Sequence, residues 1–240
     1  ASEIGEVILG CVGPSAAETN IGRILALRAG CGDKVPGWTV QRNCASGLEA
    51  IDNAAKDIAA GRHDLVLAGG TEAMSRSGML FSEEFVDWLA DLKAAKNARQ
   101  KLSVIAHFRP KFVMPVLTLL KALNDPVVNL SMGQTAEKLA FIFGVSRTEM
   151  DEYSVRSHMR AQNANEQKYF VEELVPLFDW LGKFFINDNG IRPDSTLDKL
   201  AKLKPVFDKP FGNVTAGNSS QISDGAAMVL LASQTAIDKY

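Results

Sequence analysis

The first part of the chain alternates short apolar runs with amphipathic stretches. Residues 6–12, E-V-I-L-G-C-V, are apolar and are closed by Gly13-Pro14, which predicts a buried strand. Apolar positions at helical spacing predict a helix over residues 18–30, and W-T-V-Q then predicts a second strand. The order strand, helix, strand indicates the beginning of an α/β sheet.

The next helix and strand repeat this order. Between Ala45 and Gly61 the apolar positions recur every three or four residues, which predicts an amphipathic helix that ends at a glycine. D-L-V-L-A-G-G follows as a third strand. Alternating strands and helices are typical of parallel sheets covered by helices.

The alternation breaks after Met79, and a basic segment follows. Residues 92–124 contain no acidic residue, although the whole chain has a net charge of -2. Apolar residues are interleaved with the charges, so the segment could lie on a membrane surface, fold over an anionic ligand, or form an ordinary solvated helix pair. Its seven basic residues are Lys93, Lys96, Arg99, Lys101, Arg109, Lys111 and Lys121.

The sheet pattern returns near the end of the chain. Ser146 and Glu149 form an S-x-x-E capping box, which predicts a helix that runs to about Tyr169. N-V-T-A-G-N is expected to be extended, and A-A-M-V-L-L-A is expected to be a final buried strand. We therefore predict an α/β core of residues 1–79 and 206–240, interrupted by a mostly helical insertion over residues 80–205.

Composition narrows the function classes. A net charge of -2 gives no general reason to expect a nucleic-acid partner. No window reaches 18 uninterrupted apolar residues, so we expect no transmembrane helix. The three cysteines show no C-x-x-C spacing, so we expect neither a disulfide framework nor a metal site, and a reducing compartment fits best.

Cys44 lies between the second strand and the second helix. At a helix start, a sulfur is close to unpaired N–H groups and the positive end of the helix dipole, which favours the thiolate. The small neighbours Ala45, Ser46 and Gly47 would let another group approach it. The residues alone leave two readings open, a nucleophile or a small buried side chain.

A second candidate region is G-N-V-T-A-G-N-S-S-Q-I-S-D-G-A-A. Its turn residues and serines predict a tight loop with exposed N–H and hydroxyl groups, which could bind a polar ligand or satisfy its own hydrogen bonds. Together with N-C-A-S-G-L-E-A-I, L-A-G-G-T-E-A-M-S, D-N-G-I-R-P-D-S and A-K-L-K-P-V-F-D-K, this region resembles the first half of a thiolase in order and spacing across nearly the whole chain. The basic segment and D-N-G-I-R-P most resemble the 3-ketoacyl-CoA thiolases of fatty acid β-oxidation, the branch of the trifunctional enzyme β subunit.

The resemblance implies a thiolase-like fold, a layered mixed sheet with helices on both faces, and an insertion that covers the CoA site. It also implies an acyltransferase with coenzyme A as co-substrate and no permanently bound cofactor. In such an enzyme a cysteine attacks the keto carbon of a 3-ketoacyl-CoA, acetyl-CoA leaves, and free CoA then takes the acyl group from sulfur. The backbone N–H of that cysteine would suit an oxyanion site.

The resemblance carries six site residues. Cys44 matches the acyl-accepting cysteine. Ser220 matches a serine that hydrogen-bonds the pantetheine arm, and Ala216 and Phe207 match apolar positions that line it. The last two are Arg192, which matches a basic residue near the nucleotide end, and Met132, which matches a methionine at the mouth of the tunnel.

Two catalytic partners of the family are not found in the sequence. The G-H-P histidine that acts as base does not occur, and the one C-x-G spacing belongs to Cys11, in the first predicted strand, where packing is expected, as it is for Cys31. His63, His107 and His158 lie in other contexts, where a structural role is expected. The family's second half is therefore expected to be absent, and the chain alone is expected to be weakly active or inactive.

Other readings of the function stay open. One is a biosynthetic acetoacetyl-CoA thiolase, and another is a non-catalytic module that binds CoA esters. The resemblance further implies a homo-oligomer, a possible hydratase/dehydrogenase partner subunit, and a location in the mitochondrial matrix or the bacterial cytoplasm. Membrane or partner contact through residues 92–124 is a separate hypothesis, which rests on the seven positive charges among apolar residues there.

Overall fold

The computed structural model describes residues 1–179 and 181–240. The chain forms two compact units, one of residues 1–121 with 222–240 and one of residues 122–221. Within the described residues, no helix combines the length and apolar character needed to cross a membrane.

The strands are β1 Glu6–Gly10, β2 Gly37–Val40, β3 Leu65–Ala73, β4 Met79–Leu80, β5 Val116–Leu117, β6 Leu177–Phe178, β7 Phe184–Phe185 and β8 Asp224–Ala232. The helices are α1 Ile21–Arg28, α2 Ser46–Ala59, α3 Glu83–Ala94, α4 Ala98–Ala106, α5 Thr118–Ala122, α6 Met132–Phe143, α7 Arg147–Glu166, α8 Leu197–Ala201 and α9 Gln234–Lys239.

The first unit is built on a four-stranded mixed sheet in the order β2-β1-β3-β8. β1 pairs in parallel with both β2 and β3, so that Ile8 lies beside Trp38 on one side and Ala68 on the other. β8 runs antiparallel to β3 along its whole length. The predicted α/β class with a mixed sheet is confirmed.

Helices cover both faces of this sheet because successive side chains of β1 point in opposite directions. Ile8 packs with Ala50 and Ala54 of α2, whereas Val7 packs with Ala26 of α1. All five side chains are fully buried. The small alanines let each helix lie close to the strands.

The prediction for the last strand is half right. β8 forms where A-A-M-V-L-L-A was expected, but it is not buried, and Leu230 is 57% exposed. Among the strands that the structure describes, β8 is an edge strand with β3 as its one partner. A run of apolar residues identifies a strand, but burial depends on what covers its face, which the run does not encode.

The basic segment includes a helical hairpin, α3 and α4, that belongs to the first unit. The chain segments before α3 and after α4 are joined, because β4 pairs with β5. Ser82 Oγ also donates to the carbonyl of Phe112 at 3.1 Å. The second unit in turn extends to Gln221. These limits differ from the predicted insertion of residues 80–205, because strand pairing joins residues 79–117 to the first unit.

The second unit is mainly helical. The predicted capping box is confirmed, since Ser146 and Glu149 begin α7, and Ser131 with Gln134 forms a second one at the start of α6. N-V-T-A-G-N, predicted to be extended, belongs to no strand and forms a turn-rich loop.

Candidate active site

Cys44 is exposed at a sharp turn between β2 and α2. Asn43 has a left-handed backbone with φ of 48°, a conformation that asparagine tolerates better than most residues. The N–H groups of Ala45 and Ser46 donate to the carbonyls of Arg42 and Asn43 at 3.1 and 3.0 Å. These bonds fold the chain back on itself and place Cys44 just before the first turn of the helix.

The buried hydroxyl of Ser46 fixes this turn. It donates to the carbonyl of Asn43 at 2.6 Å and accepts from the N–H of Arg42 at 2.8 Å. An ion pair between Arg42 and Glu49 joins the turn to the helix and lowers the pKa of the Glu49 carboxyl. Ser46 therefore holds the backbone on both sides of Cys44.

Glycines bring the helix start close to the sheet. A Cβ at Gly10, the last residue of β1, would lie 2.4 Å from the backbone of Ser46 and 2.6 Å from the nitrogen of Gly47. A Cβ at Gly70 in β3 would lie 3.4 Å from the Cα of Gly47. Cys44 is thus held at the carboxyl ends of the parallel strands, where α/β proteins place their ligands.

The packing alternative for Cys44 is wrong, because its side chain is exposed. It is right for the other two cysteines. Cys31 is buried in the cluster beneath α1, and burial, with the nearby Glu72 carboxylate, raises the pKa of the Cys11 thiol. Glu72 itself accepts the N–H of Val12 at 2.7 Å. Cys44 is the cysteine that a reagent can reach.

In the second unit, residues 213–220 form a loop that is closed by Asn218. The Asn218 Oδ1 accepts the N–H of Thr215 at 2.7 Å, and its Nδ2 donates to the carbonyl of Asn213 at 2.9 Å. Thr215 is fully buried, whereas Ala216 and Ser220 are exposed. The loop satisfies its interior groups and still presents two of the predicted CoA-binding residues.

Two acidic residues anchor this loop. Glu137 of α6 accepts the N–H groups of Asn213 and Val214. Asp151 of α7 is buried, accepts from Asn218 Nδ2 at 3.0 Å, and is held by Arg147 Nε at 2.8 Å. Each end of the loop is therefore attached to its own helix.

Phe207 and Met132 come together at the first turn of α6. A Cβ at Gly133 would lie 2.0 Å from the Phe207 ring, so the glycine gives the ring room to pack there. Phe207 and Met132 remain 42% and 47% exposed. Phe207 also lines a pocket of about 490 Å³ together with Glu137. The lining mixes aromatic rings, among them Phe207, with charged side chains, among them Glu137, so the pocket offers both apolar and polar contacts.

Arg192 lies in the same unit, with an exposed side chain. Its backbone N–H donates to His158 Nδ1 at 3.2 Å, so His158 has the structural role that was expected. His107 Nδ1 donates to the carbonyl of Ser103 at 2.7 Å, since a carbonyl only accepts, and His63 lies 3.8 Å from a Glu6 oxygen. In the described part of the chain, no histidine is placed against Cys44 by a hydrogen bond.

The structure thus gathers Met132, Phe207, Arg192, Ala216 and Ser220 in the second unit and Cys44 in the first. The sequence reasoning missed the residues that support them. Asn43 and Ser46 could have been found from the turn and capping tendencies of asparagine and serine. Glu137 could not, because it bonds residues 76 and 77 positions away.

An exposed cysteine just before a helix, at the carboxyl edge of a mixed α/β sheet, is an arrangement that covalent thiol catalysis can use. The sequence profile described as "Thiolase, N-terminal domain" matches residues 1–235. The chain belongs to the thiolase family.

Named relatives agree with this assignment. The mitochondrial trifunctional enzyme subunit beta of Bos taurus is 42% identical over 226 residues, which is 94% of this chain and 46% of that protein. A crystal structure of the Bacillus anthracis acetyl-CoA acetyltransferase matches with a TM-score of 0.83 and 36% identity, covering 99% of this chain and 56% of the other. Human mitochondrial 3-ketoacyl-CoA thiolase in complex with CoA matches with a TM-score of 0.81 and 34% identity, covering 100% and 56%. The chain spans about half the length of these proteins.

Proposed function

We propose that the protein is an acetyl-CoA C-acyltransferase that cleaves 3-ketoacyl-CoA thiolytically, with Cys44 as the acyl acceptor. The observation that carries the proposal is the exposed sulfur of Cys44 at the start of α2. The names of relatives, a trifunctional enzyme subunit beta and a 3-ketoacyl-CoA thiolase, support the degradative direction.

The reaction proceeds in two balanced steps. The Cys44 thiolate attacks the 3-keto carbon, the bond between C2 and C3 breaks, and the electron pair leaves on C2, which takes up a proton as acetyl-CoA forms. The thiol of a second CoA then loses its proton, attacks the acyl carbon on sulfur, and returns Cys44 as thiolate. A helix start favours the anionic sulfur and donates N–H groups to each oxyanion.

Five residues of the second unit are proposed to bind the CoA part. Ser220 offers a hydroxyl to the pantetheine arm, and Ala216, Phe207 and Met132 offer apolar surface. Arg192 offers a cation to the nucleotide phosphates. Their exposure and the structural likeness to a thiolase in complex with CoA support this assignment.

The experiment is to trap the acyl group. The chain is incubated with acetyl-CoA, digested at low pH and examined by mass spectrometry, next to the Cys44→Ala variant. The expected result is one acetyl group on the peptide that contains residue 44, absent from the variant. Acetylation that persists in the variant, or none in either protein, would sink the proposal.

The sequence lacks the G-H-P motif, and the cysteine of its one C-x-G spacing, Cys11, is buried, so these residues do not supply the base and acid of the family. General acid–base catalysis is typically worth about 10²- to 10⁴-fold. We therefore propose that the 240-residue chain by itself catalyses thiolysis more slowly, by about that factor, than a protein that contains both catalytic groups. Steady-state thiolysis at the rate of a protein that contains both motifs would contradict this.

The alternative is the reverse, biosynthetic condensation, which the likeness to an acetyl-CoA acetyltransferase favours. Position 131, often histidine in that branch, is serine here and caps α6. Activity with long acyl chains would favour degradation, and activity confined to acetoacetyl-CoA would favour biosynthesis. A chain that binds CoA but never forms a covalent acyl adduct would instead be the non-catalytic binding module.

The names of the relatives also support partners and a location. A subunit beta has companion subunits, so we propose a homo-oligomer that assembles with a hydratase/dehydrogenase subunit. Mitochondrial and bacterial relatives support the mitochondrial matrix or the bacterial cytoplasm. Size-exclusion chromatography with light scattering tests the oligomer directly.

We further propose that the basic segment of residues 92–124, which includes α4 of the hairpin α3–α4, contacts an anionic membrane surface. Trp88 stacks on Phe85 at 5.8 Å and meets Phe108 edge-on at 5.2 Å, which joins the helices. Apolar side chains of α4 nevertheless remain exposed, Leu102 by 70% and Ile105 by 51%. Basic residues flank them in the sequence, the composition of a surface that binds anionic lipid headgroups.

Co-sedimentation with anionic phosphatidylserine vesicles tests this contact. Arg109→Glu combined with Lys111→Glu should abolish sedimentation, whereas Lys202→Glu combined with Lys204→Glu, the same charge change in the other unit, should not. Binding that survives the first pair, or that is equal on neutral vesicles, would leave the hairpin as a solvated helix pair.

A further inference from the structure

Glu137 makes an unusual pair of bonds. Its Oε2 accepts the N–H of Asn213 at 2.8 Å, and its Oε1 accepts the N–H of Val214 at 2.9 Å. One carboxylate thus binds two consecutive backbone amides of a distant segment. Hydrogen bonds to a charged acceptor are roughly twice as strong as neutral ones.

The neighbouring residues are shaped for this contact. A Cβ at Gly212 would lie 2.3 Å from Glu137 Oε1, so only a glycine leaves the carboxylate its place. Val214 is nearly fully buried, which keeps water from replacing the carboxylate at its amide. The contact therefore sets the register of the segment against α6.

Several candidate CoA-binding residues depend on this register. The N–H of Val206 donates to the carbonyl of Val214 at 3.0 Å, which ties the residue before Phe207 to the segment that Glu137 holds. Ala216 and Ser220 follow Thr215 directly in the same loop. A shift of Val214 would therefore displace both the apolar surface of Phe207 and Ala216 and the hydroxyl of Ser220.

We infer that Glu137 is a positioning residue that holds the 213–220 loop and Phe207 in the arrangement that binds the acyl-CoA, an inference that rests on the proposed function. Glu137 holds the first two residues of the loop. Asn218 and Asp151 hold the remainder, because the Thr215 amide bonds to Asn218 and not to Glu137. The loop therefore has two independent restraints.

The test replaces Glu137 by Gln, which keeps the size but turns one acceptor into a donor facing an N–H. Amide hydrogen exchange should become about tenfold faster at Asn213 and Val214, while the Thr215 amide keeps its rate. The dissociation constant for CoA, measured by calorimetry, should rise about tenfold, which corresponds to about 1.4 kcal/mol. The thermal midpoint should change little.

Two further variants sharpen the test. Glu152→Gln on α7 is the matched control and should behave as wild type. Within the described part of the chain, the Glu152 side chain makes no hydrogen bond or ion pair. Glu137→Asp keeps the charge with a shorter reach and should restore part of the affinity. It also serves as the test variant if Glu137→Gln does not fold.

The outcomes separate the two claims. Unchanged exchange at Asn213 and Val214 overturns the restraint, and faster exchange with unchanged CoA affinity overturns the positioning role. If wild-type protein binds no CoA while the exchange still changes as expected, the proposed function fails and the CoA part of the inference falls with it. Local loosening together with weaker CoA binding, absent in Glu152→Gln, supports the inference.

Discussion

Replacing Gly10 by Ala tests how closely α2 approaches the sheet. The new Cβ would lie 2.4 Å from the backbone carbon and oxygen of Ser46. Ordinary contact begins near 3.4 Å, so the helix start must retreat by about 1 Å. Overpacking of this kind destabilises by about 1–3 kcal/mol, and the rigid backbone on the other side places the expected loss in the upper half of that range.

Gly47→Ala, at the second residue of α2, is the matched control. A Cβ there meets nothing within 4 Å. Alanine in a helix is favoured over glycine by about 0.5–1 kcal/mol, so this variant should be as stable as wild type or slightly more stable.

Urea unfolding followed by circular dichroism measures both variants. The midpoint should fall for Gly10→Ala only. Since a misplacement of about 1 Å can cost about 10²-fold in rate, acetyl transfer to Cys44 should fall as well. A Gly10→Ala protein as stable as wild type, or an equal loss in both variants, would refute the described approach of β1 to α2.

Two further predictions concern stability. Burial raises the pKa of Glu6, the Asp57 carboxylate raises it further, and the hydrogen bond from Trp38 opposes both. Folding therefore favours the protonated carboxyl, and the stability that Glu6 contributes is present below its ordinary pKa of 4.5 and is lost as pH rises through the raised pKa. Glu6→Gln should raise the urea midpoint at pH 7 and flatten the decline of that midpoint above pH 4.5. A dependence of the midpoint on pH equal to that of wild type would contradict this reasoning. Ser146→Ala removes the cap of α7 and should lower the free energy of unfolding by about 1 kcal/mol. Amide exchange in the first turn of that helix should become faster, and unchanged exchange there would contradict the capping role.

The sequence predicted those features that short-range patterns encode. The helix expected between Ala45 and Gly61 forms as Ser46–Ala59, and the capping box at Ser146 begins α7 as expected. Both signals lie within a few residues of the structure they specify.

Features that depend on distant segments were out of reach. β8 was identified as a strand, but its exposure follows from its place at the edge of the sheet. The end of the second unit at Gln221 depends on the bonds that Glu137 and Asp151 make to residues more than 60 positions away. Spacing and periodicity carry no record of such pairings.

The site divides in the same way. The position of Cys44 before a helix was predicted from local pattern, whereas its exposure, which the sequence left open, is seen only in the structure. The left-handed Asn43 and the hydroxyl of Ser46, which hold that position, were missed although the turn and capping tendencies of the two residues point to them.

The proposed reaction requires that the turn before α2 raises the reactivity of the Cys44 thiol. The rate at which Cys44 is alkylated measures that reactivity. Because Cys11 and Cys31 are buried, a faster rate than theirs would reflect access alone. A free peptide of residues 41–50 is the better reference, because its cysteine is fully accessible. It is reacted with iodoacetamide at pH 7 beside the folded protein. Cys44 should react faster in the folded protein than in the peptide, and an equal or slower rate would show that the turn does not raise the reactivity of the thiol.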